Sequence, residues 1–157
     1  MQPKTHSTDV LPILQNPSLV FSRDRLIRFS DCDPAGIVFY PQYFVMFNGL
    51  VEDWFNEGLG LGYQHTVIER RIGLPTVHLE ADFKAVSAMG DLVELSLTVE
   101  RLGVRSITLQ MRCVGKHDAS LRMIMRQVLV TTSLETHRAV LIPADMLEAM
   151  SQHVPQR

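Results

Sequence analysis

Hydrophobic positions along the chain follow two different periods. Across residues 42–57, Tyr43, Phe47, Leu50, Val51, Trp54 and Phe55 recur at helical spacing, while Glu52, Asp53 and Asn56 fall off that stripe; the pattern predicts one long amphipathic helix. Pro41 suits its first turn, where a missing N–H removes no helical bond, and Gly58 suits a left-handed residue just past its end. Beyond it the period becomes two. Val77, Leu79, Ala81, Phe83 and Ala85 alternate with His78, Glu80, Asp82 and Lys84, which reads as a half-buried strand. Val93, Leu95, Leu97 and Val99 form the apolar face of the next strand, after a Met89-Gly90-Asp91 turn, and Ile107, Leu109, Met111 and Cys113 that of a third, after a reversal at Gly103. Over residues 121–132 the parity slips between Met123/Met125 and Val128/Val130, which predicts a bulge or change of face.

A short strand at residues 26–29 precedes the helix, so the order is strand, helix, then four strands of an antiparallel meander. This is an α+β arrangement: a curved antiparallel sheet of about five strands that buries its apolar face on one long helix. One helix cannot cover both faces and both edges of such a sheet, so a homo-oligomer, dimer or tetramer, is expected. Residues 144–151, with Met146, Leu147 and Met150 as apolar positions, predict a short terminal helix.

The length of 157 residues suits a single domain. Residues 1–22 read as a flexible extension, 23–150 as the domain and 151–157 as a tail, because Pro, Ser, Thr and Asn are scattered through the first segment without period. A net charge of −2 argues against a nucleic-acid partner, and no apolar stretch is long enough to span a membrane. Cys32 and Cys113 make no metal-ligand spacing and suit the reducing cytosol, so a cytoplasmic protein without a metal site is expected.

The least generic stretch is Asp31-Cys32-Asp33-Pro34-Ala35-Gly36-Ile37-Val38-Phe39-Tyr40-Pro41, between the first strand and the helix. A turn and a helix cap are one reading of it. The other is chemical: a carboxylate in a loop leading to a helix N-terminus lies near unpaired N–H groups and the positive end of the helix dipole. Pro41 has no N–H, so the Tyr40 amide is a natural open donor there, and Gly36 permits close approach of a ligand to the backbone. A carboxylate plus an oxyanion donor is sufficient for acyl transfer.

From Asp31 to Tyr43 this stretch resembles the hotdog-fold thioesterases of the 4-hydroxybenzoyl-CoA thioesterase type, and the similarity continues through Leu74-Pro75, Ala81-Asp82-Phe83 and Ile142-Pro143-Ala144-Asp145. The resemblance implies a hotdog fold, Asp33 as the catalytic carboxylate, Asp31 as a loop-organising residue, and the Tyr40 backbone N–H as the group that polarises the thioester carbonyl. It implies an acyl-CoA substrate, with coenzyme A part of the substrate and no separate cofactor. It also places Phe39 and Asn48 at the acyl group and Arg105 and Arg138 at the coenzyme phosphates. Two departures widen the acyl range: Asn48 stands where the hydroxybenzoyl enzyme has an aspartate, and Phe39 where it has a tryptophan. The implied activity is hydrolysis of an aromatic or short acyl-CoA by Asp33, as nucleophile or general base. Its alternatives are a thioesterase for carrier-protein-bound acyl groups and a non-catalytic acyl-CoA-binding module. Elsewhere His65 and Glu69 read as a surface pair, and His78 and Glu80 as polar-face residues within reach of a subunit interface.

Overall fold

The period-two segments assemble into one antiparallel sheet. In the computed structural model, which describes residues 20–154, β1 (Phe21–Leu26), β3 (Thr76–Phe83), β4 (Leu92–Leu102), β5 (Ser106–Gly115) and β6 (Leu121–Val130) lie in the order β1-β4-β5-β6-β3. Two short strands, β2 (Ile72–Gly73) and β7 (Thr132–Ser133), pair apart from it. The stripe read from the sequence forms α1 (Pro41–Asp53), which continues through a wider π-helical turn at Trp54–Gly58. All six of its predicted apolar residues are buried, together with Met46. They pack on Val93, Leu95, Leu97 and Val99 of β4, Ile107, Leu109 and Met111 of β5, and Met123 and Met125 of β6. A five-stranded antiparallel sheet folded against one long helix is the hotdog architecture, as expected. The terminal helix α2 (Ala144–Ser151) closes one end through Met146 and Met150, while Leu147 stays exposed.

Several local expectations are corrected. The first strand runs over Phe21–Leu26 and pairs with β4 from Phe21↔Leu97 to Leu26↔Leu92, so Phe21 and Ser22 belong to the sheet and not to the extension; residues 1–19 and 155–157 lie outside the described residues. Residues 26–29 do not continue the strand because Asp31 folds them into a 3₁₀ turn, taking the Arg28 N–H on one oxygen and the Arg25 guanidinium on the other. Nor is the sheet a simple meander. β3 crosses to the far side and pairs with β6, leaving its other edge without a strand among the described residues. As an edge strand it is not half-buried: Val77, Leu79 and Phe83 are 60%, 38% and 50% exposed.

In β6 the parity does not slip. Met123, Met125, Gln127 and Leu129 all face inward, and the apparent break arises because Gln127 occupies a core position, where its side-chain amide donates to Thr76 Oγ1 at 2.6 Å. The expected bulge does lie in this strand, at Arg122, where the pairing with β5 steps from Cys113↔Met123 to Val114↔Leu121; further register shifts occur at Thr76/His78 on β3 and Val99/Arg101 on β4. Gly58 is needed, but not for a left-handed turn: a Cβ there would meet Trp54 Cδ1 at 2.6 Å and Phe21 at 3.0 Å. Both rings are fixed by the core and by β1, so neither yields cheaply. Gly58→Ala is therefore predicted to destabilise the fold by about 1–3 kcal/mol, read as a lower urea midpoint with an unchanged slope.

Candidate active site

The segment between β1 and α1 folds into a small hairpin. The Asp33 N–H donates to the Ile37 carbonyl at 3.0 Å and the Gly36 N–H to the Asp33 carbonyl at 2.9 Å, with Gly36 at φ +76°. A three-residue loop closed by a left-handed glycine is one of the common short hairpin connections. Asp33 stabilises the turn itself, its Oδ1 accepting the Ala35 N–H at 2.8 Å. Cys32 then bridges Val38, and the Phe39 N–H donates to the Asp31 carbonyl at 3.0 Å. Asp31 is 4% exposed and spends both oxygens on Arg25 and Arg28, so its hydrogen bonds are those of a loop organiser.

One arm of this hairpin docks on the segment between β3 and β4. The Val38 N–H donates to the Ser87 carbonyl at 2.9 Å, the Met89 N–H to the Gly36 carbonyl at 3.0 Å, and Ile27 exchanges bonds with Gly90 and Asp91. Arg122 secures that segment from behind, hydrogen-bonding the Val86 carbonyl and pairing with Asp118 at 2.9 Å.

At the end of the arm the chain turns into α1. Pro41 carries no N–H, the Gln42 N–H donates to the Phe39 carbonyl and the Tyr43 N–H to the Tyr40 carbonyl. The Tyr40 amide is left with no carbonyl or side-chain acceptor among the described residues. Asp33 stands opposite Ile37, three residues before Tyr40, so the carboxylate turn and the open donor share one hairpin arm, their backbones about 10 Å apart along it.

Beside Tyr40 opens a cleft of about 320 Å³, lined by Ile37, Val38, Tyr40 and Tyr43 on one side and Phe83, Lys84, Ala85, Val86 and Ser87 on the other. The Tyr40 ring meets Phe39, Phe44 and Phe83 edge-on at 5.6, 6.4 and 6.1 Å. Asp33 does not line the cleft; it sits half-buried at the hairpin tip beyond it. Next to Asp33, burial and the adjoining Asp31 and Asp33 carboxylates hold the Cys32 thiol above its ordinary value, so it is neutral near pH 7.

The other residues singled out from the sequence divide into two groups. Phe39 stands at the site, exposed against Tyr40, and Asn48 is exposed on α1, two helical steps of four beyond Tyr40 and therefore on the same face. Arg105 and Arg138 are not brought to Asp33 within one chain. Both lie at the opposite end of the sheet, Arg105 in the β4–β5 turn, its carbonyl accepting the Thr131 N–H, and Arg138 beyond β7, its carbonyl accepting the Ser133 N–H. The 11 residues of β4 separate the two ends by roughly 35 Å.

Three features were missed from the sequence. Arg71 joins Arg105 and Arg138 at that far end, its carbonyl accepting the Leu134 N–H, and none of the three has an ion-pair partner among the described residues. Tyr43 and Ser87 form a buried hydroxyl pair in the cleft wall. Phe83, read only as a strand residue, is the aromatic wall facing Tyr40. His65 and Glu69 form an exposed pair at 2.8 Å, and His78 and Glu80 pair at 2.9 Å on the edge strand, where the histidine draws the Glu80 carboxyl below its ordinary value.

A model of the family described as "Thioesterase-like superfamily" matches residues 27–150. The chain belongs to the thioesterase-like superfamily. Among curated relatives, 4-hydroxybenzoyl-CoA thioesterase of Pseudomonas sp. (strain CBS-3) is 29% identical over 137 residues, 80% of this chain and 93% of the relative. A 1,4-dihydroxy-2-naphthoyl-CoA hydrolase of Prochlorococcus marinus (strain MIT 9313) is 25% identical over 135 residues, 80% of this chain and 87% of the relative. Among solved structures, a mutant of 4-hydroxybenzoyl CoA thioesterase in complex with 4-hydroxybenzoyl CoA superposes with a TM-score of 0.77 and 27% identity, covering 84% of this chain and 99% of that one. The expectation of a thioester hydrolase is borne out at the level of these relatives.

For this superfamily member the hairpin glycine has a definite role. A Cβ on Gly36 would have nothing within 4 Å, so the constraint is its positive φ and not space. Gly36→Ala is predicted to cost about 1–2 kcal/mol by urea unfolding, the penalty of a side chain in the left-handed region, because the surrounding cleft leaves room for the methyl group itself.

Proposed function

We propose that the protein hydrolyses an aromatic or short acyl-CoA, 4-hydroxybenzoyl-CoA-like, to the free acid and coenzyme A, with Asp33 as nucleophile or general base. The observation that carries this reading is the open Tyr40 amide at the helix N-terminus, between an apolar aromatic cleft and a carboxylate turn. A thioester carbonyl seated at that amide accepts its hydrogen bond, and the helix dipole adds positive potential where the oxyanion develops. Asp33, or a water it activates, attacks the carbonyl carbon; the oxygen takes the charge, and the coenzyme A thiolate leaves when the tetrahedral intermediate collapses. The acyl group lies along the cleft against Phe39, Tyr40 and Phe83, with Asn48 further along the same helix face. Coenzyme A belongs to the substrate, and no separate cofactor or metal enters the reaction. The enzyme is read as cytoplasmic; no helix among the described residues is long and apolar enough to cross a membrane.

The site is completed by a second copy of the chain. Among the described residues β3 leaves a free edge flanked by exposed Val77, Leu79 and Phe83, and an uncovered apolar edge strand invites strand pairing. Two-fold antiparallel pairing of β3 sets the Phe83 end of one protomer, beside Tyr40, against the Thr76 end of the other, near β5 and the β4–β5 turn. Arg105 and Arg138 of the partner subunit then approach Asp33 and hold the coenzyme phosphates. This supports a dimer as the catalytic unit, two of which form the expected tetramer.

Asp33→Asn is predicted to stay folded, with an unfolding free energy within about 1 kcal/mol of wild type by urea titration, and to lose hydrolysis by about a thousandfold or more in a thiol-release assay with benzoyl- and 4-hydroxybenzoyl-CoA. Thiol release undiminished in that variant would remove Asp33 from the mechanism. Arg105→Ala with Arg138→Ala is predicted to raise KM by about tenfold with little change in kcat, and to flatten its salt dependence. Co-refolding equal amounts of the two variants restores about a quarter of the wild-type sites, because each mixed dimer has one intact site; no recovery would place the arginines and Asp33 in the same chain's site.

A further inference from the structure

The wall of the cleft is mostly apolar, and besides the exposed Tyr40 side chain its polar groups gather at one buried point. Ile37, Val38, Phe83 and Val86 offer only carbon, and the ammonium of Lys84 turns outward to Asp82 at 3.9 Å. Between them the Tyr43 hydroxyl donates to Ser87 Oγ at 2.9 Å, with Tyr43 3% and Ser87 1% exposed. Burial raises the Tyr43 phenol above its ordinary value, partly offset by this bond, so the hydroxyl is neutral and acts as a hydrogen-bonding group.

The pair has capacity that the protein spends poorly. A serine and a tyrosine hydroxyl together carry two donor hydrogens and four acceptor positions, and their mutual bond uses one of each. The buried Cys113 thiol is pushed up to about 12 by burial, opposed in part by Arg122 and Ser87, so it is neutral and competes only weakly for these hydroxyls. Ser87 is also fixed in place, because its carbonyl receives the Val38 N–H of the hairpin arm that ends at Tyr40. A polar group on a bound acyl chain would therefore find a rigid hydrogen-bonding point two residues along the ladder from the carbonyl-binding amide.

We propose that Tyr43 and Ser87 are specificity-determining residues that read a hydroxyl substituent on the aromatic ring of the acyl group. This rests on the thioesterase reading above and goes further by assigning the discrimination to these two side chains. An unsubstituted ring covers the pair with carbon and leaves its remaining capacity unmet, whereas a phenol supplies an oxygen partner for it. The reading concerns recognition alone: neither hydroxyl takes a proton from the substrate or attacks it.

The test compares kcat/KM for benzoyl-CoA and its 2-, 3- and 4-hydroxy derivatives in wild type, Tyr43→Phe and Ser87→Ala. Wild type is predicted to favour at least one hydroxybenzoyl isomer over benzoyl-CoA by about tenfold or more, and Ser87→Ala to erase most of that ratio. Tyr43→Phe, which keeps the ring against Phe83, is predicted to reduce it as well. A ratio that stays within about twofold of wild type in both variants, even where both substrates slow together, overturns the assignment. So does a wild type that prefers no hydroxy isomer, an outcome that needs no variant to fold. Hydrolysis of none of the four substrates would overturn the aromatic thioesterase reading itself; hydrolysis indifferent to the hydroxyl overturns only this inference.

Discussion

The structure depends on a short backbone ladder outside the main sheet, where Ile27 and residues 36–38 hydrogen-bond residues 87–91. Those bonds fix the chain before it enters α1, and so fix where the Tyr40 amide points and where the Asp33 turn sits. The geometry has few alternatives. The left-handed Gly36 sets the reversal, Asp31 ties the loop base to Arg25 and Arg28, and Pro41 withholds the donor that would otherwise compete with Tyr40 at the helix end. A pre-aimed amide is worth more to an oxyanion than a mobile donor, because no reorganisation is needed as charge develops. The buried core of α1 on β4 and β5 supplies the rigidity against which this small ladder is held.

The same fold leaves a single chain unfinished. β3 lies at the edge because it pairs with β6, and α1, centred over β4, does not cover it. Its exposed valine, leucine and phenylalanine lie next to the aromatic cleft, so the surface that calls for a partner is continuous with the surface proposed to take the acyl group. Far from this, three arginines without an ion-pair partner among the described residues gather around Thr131 and β7, separated from Asp33 by the length of β4. The proposed two-fold axis at β3 would resolve both facts with one contact, covering the edge and carrying cationic side chains toward the proposed coenzyme end of the opposite site.

Local periodicity made much of this legible in the sequence. The stripe from Tyr43 to Phe55 needed no tertiary knowledge, because spacing alone sets which face of a helix is apolar. The Asp31–Tyr43 motif likewise placed a carboxylate, a glycine turn and an open amide in one segment, since the turn and the helix start are made by neighbours in sequence, although the docking on residues 87–91 that aims them is not. What escaped was non-local. The position of β3 beside β6 depends on a crossover, and without it the exposure of Val77 and Leu79 could not be read from alternation. Gln127 broke the β6 pattern because its partner, Thr76, is 51 residues away. Gly58 was assigned a turn from its place after the helix, although packing of Trp54 and Phe21 is what requires it. Ser87 sits in an unremarkable run of small residues, and only the fold brings it to Tyr43, 44 positions earlier.

The central claim is that the Tyr40 amide polarises a thioester carbonyl held beside Asp33. The most direct measurement is the carbonyl stretching frequency of benzoyl-CoA, labelled with carbon-13 at the thioester carbon and bound to Asp33→Asn, by isotope-edited infrared difference spectroscopy. The account predicts a stretch displaced to lower frequency than in water, because a fixed donor at a helix N-terminus weakens the C=O bond more than solvent does. A bound substrate whose carbonyl absorbs at or above its frequency in water would contradict it.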